Sequence, residues 1–286
     1  MYLVLRGTSF VTSLQLFGGA RFLHQPADRF LAMGIIPNDL TSPPQSATAT
    51  AMVSAWTSKP TNFILLIGPV PFGQQKIFID KSADGGTTWG TDVAVASTNI
   101  GFGTYIPCNG KTTKSSGRVV SPAPQMAIEP SGNIYVVFDG NAGKGKTIDL
   151  DVFITKSSNG GRSWSRPQRV SSASTGQQYL PAISIDSSGG VNVTYLDRRD
   201  DPNDCRTNNY FSHSTDGGAT FTDSKVTSVD SDFDGNPNGP GDYQGEAAWG
   251  AGAVAFFSDH RDANATNDNT TGFISGGFEI YAGRNP

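Results

Sequence analysis

The 286-residue chain is short of glutamate, charge, cysteine and histidine. Only Glu129, Glu246 and Glu279 stand among its 25 acidic residues, and charged residues make up just 16% of the whole. So little Glu and Lys, beside 34 Gly and 17 Pro, excludes helical bundles and coiled coils, which need good helix formers. An acid pool made mostly of Asp belongs in turns, where the short carboxylate caps backbone amides. No apolar run reaches the ~18 residues that a membrane-spanning helix requires. No basic stripe appears either: Arg198-Arg199 is the one basic doublet, and a formal net charge of −4 offers nucleic acid no global attraction. Residues 1–20 have no basic first segment and no small-residue cleavage site, so no signal peptide is read there. His24, His213 and His260 lack metal-ligand spacing, and Cys108 and Cys205 allow one disulfide or none.

What is present is a repeat. Ser82-Ala-Asp84-Gly-Gly86-Thr-Thr88-Trp89, Ser157-Ser-Asn159-Gly-Gly161-Arg-Ser163-Trp164 and Ser214-Thr-Asp216-Gly-Gly218-Ala-Thr220-Phe221 share one pattern. Asp or Asn caps amides, Gly supplies positive φ, and the aromatic packs beneath, which is the chemistry of a hairpin turn. The flanks repeat as well. Short alternating strands precede each turn, giving units over residues 50–97, 124–170, 181–228 and 246–283, the last without an outer strand. Strands at this spacing predict an all-β chain of four-stranded antiparallel sheets.

The three turns resemble the Asp-box, or bacterial neuraminidase repeat, of sialidase-like β-propellers. The resemblance covers roughly residues 50–286. It implies one propeller domain over 1–286, with 46–286 as four repeat units and 1–45 supplying a closing strand plus a partial blade. Five blades are countable, whereas sialidases of the family have six. Asp84, Asn159 and Asp216 are then structural, on the face away from the active site. Loops 98–123, 139–150, 171–180, 197–209, 228–246 and 258–277 fall on the functional face.

In those loops the ends of second strands align as Phe138-Asp139, Leu196-Asp197-Arg198-Arg199 and Ser258-Asp259-His260-Arg261. One reading is a repeated brace, with Asp holding amides and Arg pairing to a carboxylate. The other is a binding site, in which Arg199, Arg261 and Arg118 grip an anionic ligand through bidentate forks. Sialidases clamp the sugar carboxylate with three arginines, use a Tyr nucleophile activated by Glu, and protonate the leaving group with Asp. The resemblance therefore implies Tyr243 as nucleophile, Glu246 as its base, and Asp197 or Asp139 as acid/base. Family sialidases draw that Tyr and Glu from different blades, and the chain holds no Arg-Ile-Pro tripeptide of the kind their first blade carries.

Asp230, Asp232 and Asp234, followed by Gly235, resemble the start of a calcium loop, in which hard oxygens converge on a hard cation. A structural Ca²⁺ is expected there, and no organic cofactor. The leading expectation is a glycoside hydrolase of the exo-sialidase type acting on a glycan or small acidic sugar. A non-catalytic glycan- or protein-binding propeller is the alternative, and a metal-dependent ester or phosphoester hydrolase the third. An extracytoplasmic or secreted home suits each of them.

Overall fold

We describe the chain from a computed structural model. Backbone is described for strands within residues 2–75, and residues 76–83, 88–100, 104–106, 108, 118–120, 124–143, 148–233, 244–259 and 279–284 are described beyond them. Among these, every regular element is a β-strand. The strands are β1 (Tyr2–Gly7), β2 (Phe10–Gln15), β3 (Phe30–Pro37), β4 (Thr48–Ala55), β5 (Phe63–Ile67), β6 (Lys76–Ser82) and β7 (Val93–Ser97). Then follow β8 (Thr104–Ile106), β9 (Arg118–Val120), β10 (Gln125–Ile128), β11 (Ile134–Asn141), β12 (Leu150–Ser157) and β13 (Gln168–Arg169). The chain continues through β14 (Gln178–Ile185), β15 (Val191–Asp197), β16 (Asn208–Ser214), β17 (Thr222–Lys225), β18 (Gly245–Trp249), β19 (Gly252–Asp259) and β20 (Glu279–Arg284).

The chain divides into two compact units. The first comprises Met1–Phe102, Pro124–Val136 and Thr155–Pro167; the second comprises Gly103–Ala123, Val137–Ile154 and Gln168–Pro286. Sheets β10-β11-β12-β13 and β14-β15-β16-β17 are four-stranded meanders, as the spacing predicts, and β18-β19-β20 has three strands. In the first unit β3 pairs antiparallel with β4 along its whole length, from Phe30↔Ala55 to Pro37↔Thr48. The sheet expected over residues 50–97 is thereby five-stranded, β3-β4-β5-β6-β7, and β1 and β2 form a hairpin.

The middle of the second unit departs from simple alternation. Every residue of β14 and of β15 is buried, so these strands are covered on both faces. Most of their polar side chains are bonded internally, although Gln178 Oε1 has no hydrogen-bond partner among the described residues. Thr194 Oγ1 donates to Asn209 Oδ1 (2.7 Å), and Tyr195 and Ser212 hydroxyls meet at 2.8 Å. β14 lies beside β18, so successive first strands are neighbours in this unit.

Two of the repeated turns are described in full, and both are built as the pattern predicts. Asp216 Oδ1 accepts from the amides of Ala219 and Thr220 (2.9 Å each) and from Ser214 Oγ (2.8 Å). Asn159 Oδ1 takes the same three bonds from Arg162, Ser163 and Ser157 (3.0 Å each). Gly161 and Gly218 sit at φ +80° and +84°, where an L side chain is strained. Asp84 lies outside the described residues.

Candidate functional site

The aligned aspartates of the second unit stand at or near the loop ends of β11, β15 and β19. Asp139, Asp197 and Asp259 occupy equivalent places there, and all three are buried. Their partners differ. Asp139 Oδ2 accepts from the Leu180 amide at 3.4 Å, and Asp259 Oδ1 accepts from Ser231 Oγ at 2.5 Å. Burial pushes the Asp139 carboxyl up to about 8, against the opposing pull of the Leu180 amide.

Asp197 is the best furnished. Its Oδ1 accepts from the Arg199 amide (2.7 Å) and Gln178 Nε2 (3.3 Å), its Oδ2 accepts from Arg199 Nε (2.8 Å), and Arg199 NH2 lies 2.7 Å from Oδ2 in the same ion pair. The rest of the Arg199 guanidinium is used too: NH1 donates to Asp223 Oδ2 (2.9 Å), NH2 to Ser171 Oγ (2.7 Å) and to the Tyr195 hydroxyl (3.2 Å). Its Cζ lies over the Tyr210 ring, 4.2 Å from the centroid. The brace reading of the Asp-x-Arg motif is therefore what the geometry carries at this position. Gly176 makes it possible. At φ +78° its Cα faces the Arg198–Arg199 backbone, and a Cβ there would lie 2.5 Å from the Arg199 nitrogen.

The brace ties down the 171–177 loop. Asp223 Oδ2 also accepts from the amide (3.0 Å) and hydroxyl (2.8 Å) of Ser172, and Asp204 Oδ1 accepts from the Gln177 amide (3.1 Å). Arg169 pairs with Asp151, whose carboxyl burial pushes to about 6 while Arg169 pulls it down. Cys108 and Cys205 are joined in a disulfide with Cα atoms 4.6 Å apart, anchoring the 197–209 loop to a segment 97 residues away.

A second group forms where β14 meets β18. Glu246 Oε1 accepts from Ser184 Oγ at 2.7 Å, while Oε2 is shielded from solvent and has no hydrogen-bond partner among the described residues. Burial raises the Glu246 carboxyl to about 8, opposed by Ser184 and by the amides of Thr194 and Ser184. Gln244, two residues earlier, donates from Nε2 to the Leu180 carbonyl (2.6 Å) and accepts at Oε1 from Asn209 Nδ2 (2.6 Å). Leu180 is thus held from both sides, in a left-handed conformation (φ 54°) at a register shift between Tyr179 and Ala182.

Of the remaining expected residues, Arg118 is in β9 opposite Ile106, with its side chain outside the described residues. Tyr243, Arg261 and Asp234 lie outside them altogether. Asp230 and Asp232 both face Arg206, at 3.4 and 4.0 Å, so a guanidinium occupies the space between these carboxylates. Among the described residues no group of three His, Cys, Asp or Glu is placed to hold a metal ion. Ser184, Asp223 and Leu180 were not singled out from the sequence. Only Leu180 left a signal there, since Pro181 directly after it marks an interruption of the ladder.

No known protein family matches the chain, and no curated protein matches it. Solved structures do. A protein of unknown function from Dyadobacter fermentans DSM 18053 is similar at 17% identity and a TM-score of 0.44, over 72% of this chain and 58% of that one. The Hadza microbial sialidase Hz136 is similar at 12% identity and a TM-score of 0.43, over 74% and 40%. An ulvan lyase of polysaccharide lyase family PL25 is similar at 11% identity and a TM-score of 0.48, over 86% and 67%. The chain thus spans 58% and 40% of the length of the first two.

Proposed function

We propose that this chain is a sialidase-like β-propeller acting as a glycoside hydrolase on an acidic sugar. The observation that carries the reading is the Glu246 carboxyl: buried, tied through one oxygen to Ser184, and raised to about 8. A carboxyl whose acidity is moved toward neutrality by its surroundings suits proton transfer in glycoside hydrolysis. Glu246 serves as base to the Tyr243 phenol, three residues before it. A phenol nucleophile avoids the repulsion that a carboxylate nucleophile would meet from an anionic sugar. Asp139, also raised to about 8, is the acid for the leaving group in preference to Asp197, which Arg199 engages on both oxygens. Arg118 and Arg261 grip the substrate carboxylate, while Arg199 is spent on Asp197 and Asp223. The repeated turns, with their shared amide-capping bonds, support the propeller. The disulfide fits an extracytoplasmic home, and a structural Ca²⁺ in the 230–234 loop would have to replace Arg206 as the partner of Asp230 and Asp232.

The saturation of Arg199 favours a second reading, a propeller that binds glycan or protein without turning it over. One assay separates them: hydrolysis of a fluorogenic sialic-acid glycoside by the parent and by Tyr243→Phe, with and without EDTA. Turnover lost in Tyr243→Phe supports the hydrolase. Binding of the glycoside without turnover supports the second reading. Hydrolysis of an ester that EDTA abolishes would instead favour the metal-dependent hydrolase.

A further inference from the structure

Glu246 is the second residue of β18, opposite Ala255 of β19, and its side chain meets β14 at Ser184. Ser184 is itself buried, opposite Asn192 of β15. The groups acting on the carboxyl from β14 and β15 are the Ser184 hydroxyl and the amides of Ser184 and Thr194. No ionised side chain among the described residues acts on it. A carboxyl in that setting has two inequivalent oxygens. Oε1 accepts the Ser184 proton at 2.7 Å; Oε2 has no partner among the described residues. A hydroxyl donating to one oxygen favours the charged form and fixes the rotamer, so the other oxygen is the one that gains and loses the acidic proton.

We propose that Ser184 is a positioning residue for Glu246: it fixes Oε1, leaves Oε2 to exchange the proton, and sets the pH at which that exchange occurs. The chemical use of the exchange rests on the hydrolase reading above; the positioning itself does not.

The scarcity of glutamate makes the test direct. Uniform labelling with glutamate enriched in ¹³C at the side-chain carboxyl gives resonances from three residues only, and Glu246→Gln assigns one of them. In the parent the Glu246 resonance titrates with a midpoint near 8. Ser184→Ala, which deletes the donor, moves that midpoint up by roughly one pH unit or more. Ser184→Thr keeps the hydroxyl and restores the parent midpoint. Ser184→Cys keeps the volume with a weaker donor and falls between, serving as the informative variant if Ser184→Ala does not fold. A Glu246 midpoint indifferent to these substitutions in folded protein overturns the proposal. The titration needs no substrate. A protein without hydrolase activity that still shows the Ser184-dependent midpoint would sink the functional reading and leave the positioning role standing.

Discussion

Arg199 folds back onto Asp197, the residue two before it, with Nε 2.8 Å from Oδ2 while its own amide donates to Oδ1 at 2.7 Å. Two residues thus close a local ring, and the free end of the guanidinium reaches Asp223, Ser171 and Tyr195. Removing it strands two carboxylates in a largely buried setting. Arg199→Ala is expected to cost about 3–5 kcal/mol, the range for breaking a buried ion pair from one side. Arg199→Lys recovers little of it, because an ammonium cannot span Asp197 and Asp223 with a planar fork. Urea unfolding of the three proteins checks this. A loss below about 1 kcal/mol in Arg199→Ala would show that the brace is not structural.

The brace also explains where sequence reasoning reached and where it stopped. The Asp-x-Arg repeat was visible, and so were both of its readings, but the residue that decides between them is Asp223. It lies on β17, two strands away from the Asp197 end of β15, and nothing local in the sequence brings it to Arg199. The hairpin turns were legible because their chemistry is confined to eight consecutive residues. The four-stranded meanders over 124–170 and 181–228 were legible for the same reason. The pairing of β3 with β4 was not, because alternation gives a strand's faces but not its neighbour. Glu246 stands out by its rarity, yet no local pattern points to Ser184, which meets it across sheets, 62 positions away.

Gly176 provides an independent check on the brace. With its Cα against the Arg198–Arg199 backbone and φ at +78°, it admits no side chain without moving the loop. Gly176→Ala should destabilise by about 1–3 kcal/mol, combining overpacking with left-handed strain. Gly160→Ala shares the φ penalty, at +70°, but faces open space. It should cost clearly less. Equal losses in thermal unfolding would contradict the packing argument.

The disulfide makes a prediction about stability. Cys108–Cys205 closes a loop of about a hundred residues, for which restricting the unfolded chain is worth about 4–5 kcal/mol. The double variant Cys108→Ser, Cys205→Ser should lose about that much, and reductant should do the same to the parent and nothing to the variant. A parent whose denaturation midpoint ignores reductant would refute the expectation.

Asp139 should leave its mark on the pH dependence of stability. Its folded-state pKa of about 8 lies above its ordinary 3.8, so the folded chain holds a proton that the unfolded chain releases between those values. The stabilisation is complete below about pH 4 and declines as pH rises through about 8, by about 1.4 kcal/mol per pH unit at most. Asp139→Asn removes that titration. Its stability relative to the parent should therefore improve steadily from pH 5 to pH 8, as read from urea midpoints. A constant difference across that range would mean that Asp139 is ionised throughout.

The turns invite a swap. Asn159 and Asp216 take the same three bonds, and Thr220 Oγ1 donates to Asp216 Oδ2 at 2.6 Å where Ser163 Oγ receives a bond from Asn159 Nδ2 at 2.7 Å. Rotating the Ser163 hydroxyl would suit a carboxylate. Asn159→Asp is expected to keep or slightly raise Tm, whereas Asp216→Ala lowers it. A drop in Asn159→Asp would show that the two turns are not interchangeable.

The account's central claim is that Glu246 moves a proton during hydrolysis of an acidic sugar. Its most direct test is the pH–rate profile of the parent and of Glu246→Gln on a fluorogenic sialic-acid glycoside. The account predicts turnover by the parent that climbs as pH approaches 8, where the base form of Glu246 becomes available. It predicts a loss of about 10²–10⁴-fold in Glu246→Gln. Turnover that survives in folded Glu246→Gln with an unchanged profile, or none from folded parent, would contradict it.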